Sequence, residues 1–142
     1  MDELRLFTRE EAERTLPLVR RIVQDVMLEY PAWRRAVSQY EILAAGAVAD
    51  DGESPALAAA RIETERLAAR IDGYQREVEQ IGCVLQGLEE GLVDFRSMRG
   101  DRVVLLCWRY GEERIAYWHE IGAGFAGRRP VDDALLSEVT PR

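Results

Sequence analysis

The 142-residue chain has room for one ordinary domain, and 26 acidic against 19 basic residues give it a formal charge of −7. Every base is Arg, with no Lys and no Asn, so a Schiff-base lysine and a Gly-Lys-Ser/Thr phosphate loop are excluded. A single His rules out a two-His metal helix or a zinc finger built from this chain alone, and no Gly-x-Ser-x-Gly elbow is present.

A hydrophobic share of 47% is enough to build a core. Two Cys, at 83 and 107, are too few for a disulfide framework and lack metal-type spacing, which points to a reducing, cytoplasmic setting. The charged start, Met1 to Arg14, does not read as a signal peptide, and no apolar run approaches the ~20 residues that span a bilayer. Net acidity argues against a nucleic-acid partner. The acidity is concentrated: residues 1–90 hold 18 acids and 11 Arg, whereas residues 91–142 hold 8 of each.

Thr8-Arg9-Glu10-Glu11 has the form of a capping box, with acids where a helix dipole favours them. Apolar residues then follow at alternating steps of four and three: Ala12, Leu16, Val19, Val23, Val26, Tyr30, Trp33, Val37, Tyr40, Ala44. That is a heptad seam, and it predicts one long helix, kinked rather than broken at Pro17 and Pro31. Gly46 to Glu53 carries no period. Ser54-Pro55 restarts a helix with an N-cap and Pro at its first position. Its seam is Leu57, Ala60, Thr64, Leu67, Ile71, Tyr74, Val78, Ile81, and Gly82 ends it. The short linker makes the two helices antiparallel neighbours. The seam's broad aromatic residues predict that further helices meet there, and a homodimeric four-helix arrangement supplies them; the plainer alternative is that the domain's own sheet covers this stripe.

Beyond Gly82 the period changes to two. Leu92–Phe95, Val103–Arg109 and Arg114–Glu120 read as strands. Tyr110-Gly111-Glu112-Glu113 fits a tight hairpin that sets Arg109 opposite Arg114, Val104 opposite His119, Leu106 opposite Tyr117 and Trp108 opposite Ile115. Asp94 would then lie about two strand spacings, ~10 Å, from His119, out of bonding range. Asp132-Asp133 fits the cap of a last short helix, Ala134 to Val139. The expected architecture is therefore α+β in a single domain. A coiled-coil-like helical hairpin occupies 1–82, a small three-stranded antiparallel sheet 83–121, and a Gly/Arg-rich tail with a short helix 122–142.

Candidate chemistry gathers in the sheet and tail. His119, flanked by acids, can act as a general base or join Asp94 and Glu120 (with Glu11 as a more distant contributor) as a candidate set for a divalent metal; the plainer alternative is a half-buried strand His bonded to a backbone carbonyl or a carboxylate. Gly122-Ala123-Gly124-Phe125-Ala126-Gly127 matches the dinucleotide G-x-G-x-x-G pattern, but no strand–helix–strand unit surrounds it, so a Rossmann site is rejected. With Arg109, Trp118, Arg128 and Arg129 the same loop is a candidate small-anion site; the plainer alternative is a flexible loop whose Arg side chains pair with the acidic helices. Cys107, on a strand apolar on both faces, reads as an inert core thiol, and Cys83 has no visible partner base.

Several of these letters carry a resemblance. Phe7-Thr8, Glu10-Glu11-Ala12, Leu16-Pro17, Gly91-Leu92-Val93-Asp94-Phe95, Cys107-Trp108-Arg109, Gly111-Glu112, Tyr117-Trp118-His119-Glu120 and Gly124-Phe125-Ala126-Gly127-Arg128-x-Pro130 together resemble a bacterial domain-of-unknown-function family, sometimes labelled as related to a cell division initiation protein. Where that family usually continues Asp-Phe with Pro, this chain has Arg96. The resemblance implies a bacterial cytoplasmic protein and brings no activity, cofactor or catalytic residue with it.

Two functions are expected from these features. The first is a non-enzymatic interaction or scaffold protein that self-associates through the hairpin and takes a protein partner. The second is a small-anion or metal-binding protein, enzyme or not, whose site is built by the sheet and the Gly/Arg loop.

Overall fold

A computed structural model describes residues 5–47 and 52–138. The first helix, α1, runs over Arg9–Ala45 and opens on the expected capping box: the Thr8 hydroxyl accepts the Glu11 amide while the Glu11 carboxylate accepts the Thr8 amide. It passes unbroken through Pro17 and Pro31, so each proline costs one backbone bond without ending the helix. Helix α2 spans Pro55–Ile81, starts on Ser54, whose hydroxyl accepts the Leu57 amide, and stops at Gly82 with φ 111°. The two form an antiparallel hairpin, tied across the middle by Arg70 on Glu29.

A five-stranded antiparallel meander follows in the order β1 (Val84–Gly87), β2 (Leu92–Arg99), β3 (Arg102–Arg109), β4 (Tyr117–His119) and β5 (Arg129–Pro130). Side chains alternate between faces along each strand. Val93, Phe95, Val104, Leu106, Trp108 and Trp118 turn toward the hairpin and share one core with Ala12, Leu16, Val19, Val23, Val26 and Val78. Phe7 seals one corner of this core. Its amide donates to the Arg96 carbonyl, its own carbonyl accepts the buried Ser97 hydroxyl, and its ring packs edge-on against Phe95 at 5.2 Å.

The sheet is shorter than the helices. At ~1.5 Å per residue α1 is about 55 Å long, but its buried residues end at Val26. From there Tyr30, Trp33, Val37 and Tyr40 keep the seam against α2 yet remain only half-buried. Beyond the pair that Arg34 makes with Glu89 of the β1–β2 turn, the described residues of the hairpin's far half form a two-helix arm without a third layer.

Three expectations for the sheet and tail need correction. The sheet has five strands rather than three. Val84–Gly87 pairs with β2, and Arg129–Pro130 closes the other edge, where proline's missing N–H can face outward. What read as a Gly/Arg-rich tail is therefore a loop with a 3-10 turn, Phe125–Gly127, leading into that edge strand. The short helix expected from Ala134 does not form over 134–138. Leu135 makes a β-bridge to Arg99 and enters the core, and Leu136 donates to Met98 O; Val139 lies outside the described residues.

The third correction is register. The tight hairpin at Gly111 does not form. Residues 110–116 make a longer loop held by Glu112, whose amide donates to Arg109 O and whose carbonyl accepts the Trp108 indole N–H, while Ile115 plugs the core. The observed pairs are Leu105–His119, Leu106–Trp118 and Cys107–Tyr117, one residue away from the expected pairing. Because side chains alternate with period two, a slip of one exchanges the faces. Trp118 goes under the sheet, Tyr117 and His119 come to its outer face, and Arg109 no longer meets Arg114.

Candidate functional site

The register builds a polar row on the sheet face that points away from the helices. Asp94 pairs with Cys107, and Cys107 with Tyr117, across β2, β3 and β4; His119 stands two residues further along the same face. Asp94, Cys107 and His119 are 7%, 1% and 3% exposed. Backbone spacing alone would hold Asp94 and His119 apart, but their side chains lean toward each other across the small Cys107. His119 Nε2 comes to 3.3 Å from Asp94 Oδ1, correcting the expectation that they lie out of range. The imidazole nitrogen, one carboxylate oxygen and the thiol sulphur all lie within 4.8 Å of one another.

Hydrogen-bond accounting constrains the imidazole. Its Nδ1 is 2.8 Å from the Glu120 carbonyl, which can only accept, so Nδ1 carries a proton. The hydrogen bond that joins Nε2 to Asp94 Oδ1 then holds a second proton, carried by one partner or the other. Burial pushes the Asp94 carboxyl above the ordinary carboxylate range, opposed by its attraction to His119. Burial, reinforced by the neighbouring Asp94 charge, pushes the Cys107 thiol up to about 12. An anion-forming thiol and a carboxylate share a pocket that favours neither charge.

The other expected site residues are placed elsewhere. The Glu120 carboxylate faces Arg102 at 2.7 Å and contributes only its backbone carbonyl to the cluster. Glu11 belongs to the helix cap. Trp118 is buried beneath the sheet with its indole N–H on Pro130 O, and Arg129 stands 5.6 Å over its ring. Arg128 lies beside the cluster, 4.0 Å over Tyr117 and 4.6 Å over Phe125, with its guanidinium on both oxygens of Glu112. Arg109 is exposed, 5.5 Å over Phe125. The amides of Ala123, Gly127 and Arg128 donate to carbonyls within the 120–128 segment. Arg128 is thus matched by Glu112 of the 110–116 loop, not by an acid of the helices as the plainer alternative had it, and those amides turn inward.

Sequence reasoning passed over Cys107 as a site member. The missed signal is Gly100-Asp101, a two-residue hairpin loop between Arg99 and Arg102 that by itself sets Asp94 opposite Cys107.

Fold and site together define an α+β protein in which a helical hairpin covers one face of an antiparallel sheet and a buried Asp–Cys–His cluster occupies the other. The chain belongs to the family described as "Uncharacterized conserved protein (DUF2203)", which it matches over residues 5–131. No curated protein and no solved structure matches it. Among the described residues no helix is long and apolar enough to cross a membrane.

Proposed function

We propose that the protein is a bacterial cytoplasmic interaction protein that self-associates through the free half of its helical hairpin. The observation that carries this is the mismatch between a sheet, whose β1–β2 turn touches α1 as far as Arg34 through Glu89, and a 37-residue helix whose buried residues end at Val26. Beyond that point the arm displays large aliphatic side chains: Leu28, Ile42 and Ile62 are 70%, 67% and 57% exposed. Tyr30 and Trp33 stack at 5.7 Å within its half-buried seam. The occupant that fits is a second copy. Residues 27–47 and 52–72 hold six acids and five Arg, so two arms can approach without the repulsion that the chain's −7 would impose elsewhere. Two such coiled-coil-like arms side by side complete a four-helix layer. Two buried, unpaired cysteines agree with a reducing compartment.

The test is native mass spectrometry with light scattering of the untagged protein, set beside a Leu28→Asp/Ile42→Asp variant. Both positions face solvent in the protomer, so the variant should retain its helicity and melting midpoint. Wild type should be dimeric or larger at about 10 µM, and the variant monomeric. A wild-type monomer at that concentration, or an unchanged oligomer in the variant, overturns the proposal. Asp at Val26 or Ile71 would not discriminate, because both are buried within the protomer and would report on folding.

A further inference from the structure

We propose that Asp94, Cys107 and His119 form a mononuclear binding site for a divalent cation of the zinc class, with one coordination position left for solvent or an external ligand. The inference is independent of self-association and rests on side-chain geometry on the opposite face of the sheet.

Donor identity comes first. Imidazole nitrogen, thiolate sulphur and carboxylate oxygen are the three side-chain donors that zinc takes in proteins; calcium and magnesium ask for shells of oxygen. Three protein ligands with an open fourth position is the pattern of zinc sites that do chemistry rather than only brace a fold. The group contains three such residues among those described.

Spacing comes second. Metal–nitrogen and metal–oxygen bonds near 2.1 Å at a tetrahedral angle place the two donor atoms about 3.4 Å apart. His119 Nε2 and Asp94 Oδ1 stand at 3.3 Å. The sulphur lies within 4.8 Å of both, so a thiol rotation of about 1 Å completes the triangle.

Orientation comes third. Metal-bound histidines characteristically donate their other ring N–H to a carbonyl or carboxylate, which fixes the tautomer and aims the lone pair. His119 has this arrangement: Nδ1 is held by the Glu120 carbonyl, and Nε2 points at the Asp94 carboxylate, with which it shares a hydrogen bond. The strands that carry the ligands are pinned by the core beneath, through Val93, Phe95, Leu106, Trp108 and Trp118 on the opposite face.

Charge comes fourth. A dication with one carboxylate, one thiolate and a neutral imidazole sums to zero, the balance a buried site requires. Metal entry replaces the Cys107 S–H bond with a metal–sulphur bond and the Nε2–Asp94 hydrogen bond with metal–nitrogen and metal–oxygen bonds, releasing the thiol proton and the proton of that hydrogen bond to solvent.

The experiment is a Co2+ titration of chelator-stripped, folded wild-type protein, followed by Zn2+ competition and elemental analysis of the protein as purified. One equivalent of Co2+ should give intense visible ligand-field bands of a four-coordinate ion and a near-ultraviolet thiolate-to-cobalt band, both abolished by Zn2+ and insensitive to millimolar Mg2+. His119→Ala and Asp94→Ala should weaken binding by at least ~100-fold. Cys107→Ala should remove the near-ultraviolet band, and Cys83→Ala should retain it, since Cys83 is turned onto Val78 O away from the cluster. Should any cluster variant fail to fold, wild type and Cys83→Ala suffice: with only two cysteines in the chain, a thiolate band that survives the loss of Cys83 comes from Cys107. No saturable Co2+ binding by folded wild type, binding without a thiolate band, or a band that disappears with Cys83 overturns the site.

Discussion

Gly91 and Gly100 offer a controlled comparison of backbone strain with packing. Both have left-handed backbones, φ 70° and 64°, so Ala carries a similar dihedral penalty at either position, about 1 kcal/mol, partly offset by a less flexible unfolded chain. Their surroundings differ. A Cβ on Gly100 would meet nothing within 4 Å, whereas one on Gly91 would stand 2.8 Å from each of Met27 Sδ, Tyr110 Cβ and Val23 Cγ1. Met27 can give way, but Val23 is fully buried in α1, and Tyr110 is tied by its amide to the Gly91 carbonyl at 2.9 Å. Overpacking of this kind costs about 1–3 kcal/mol. Gly100→Ala should therefore stay within about 1 kcal/mol of wild type, while Gly91→Ala should lose about 2–4 kcal/mol. Urea unfolding followed by far-ultraviolet dichroism and Trp fluorescence measures both. Equal destabilisation within about 0.5 kcal/mol would refute the packing argument, leaving the dihedral as the whole effect.

Two further outcomes follow from the titrating groups. The Glu11 carboxyl is held below its ordinary 4.5 by the Thr8 amide it accepts, followed by the Thr8 hydroxyl. A depressed folded-state value contributes stability that is complete above pH 4.5 and fades as pH falls through the lowered value. Glu11→Gln should thus cost about 0.3–1 kcal/mol at neutral pH and much less near pH 3, and a pH-independent difference would contradict the capping assignment. Burial pushes both thiols up to about 12. At pH 8 the metal-free native protein should then react with a thiol reagent about a thousandfold more slowly than the urea-unfolded chain, in which both cysteines titrate; one fast native thiol would refute the burial.

The helices were legible because their signals are local. A capping box, an unbroken 3-4 seam and Ser-Pro at the second start need no knowledge of distant residues, and they place both helices to within a residue or two. Pro17 and Pro31 did not mislead, because the apolar phase persists through them. The sheet was harder, because its information is relational. Gly111 has the backbone of a turn glycine, φ 103°, yet the tight hairpin that its letters favour lost to burial of Ile115 and the Trp108–Glu112 bond, both tertiary effects. The resulting single-residue slip hid the cluster: with His119 set opposite Val104, Cys107 fell on the other face. The edge strands escaped for a similar reason, since Val84–Gly87 and Arg129–Pro130 are too short to carry a period and exist only by pairing.

The corner closed by Phe7 gives the chain an order in time. Its partner Ser97 is separated from it by 90 residues. Ribosomes add roughly 5–20 residues per second, so the Phe7 corner of a nascent chain waits about 5–20 s for β2 to arrive. During that interval α1 has only α2 to lean on, and the stripe from Ala12 to Val26, dry in the finished protein, faces water.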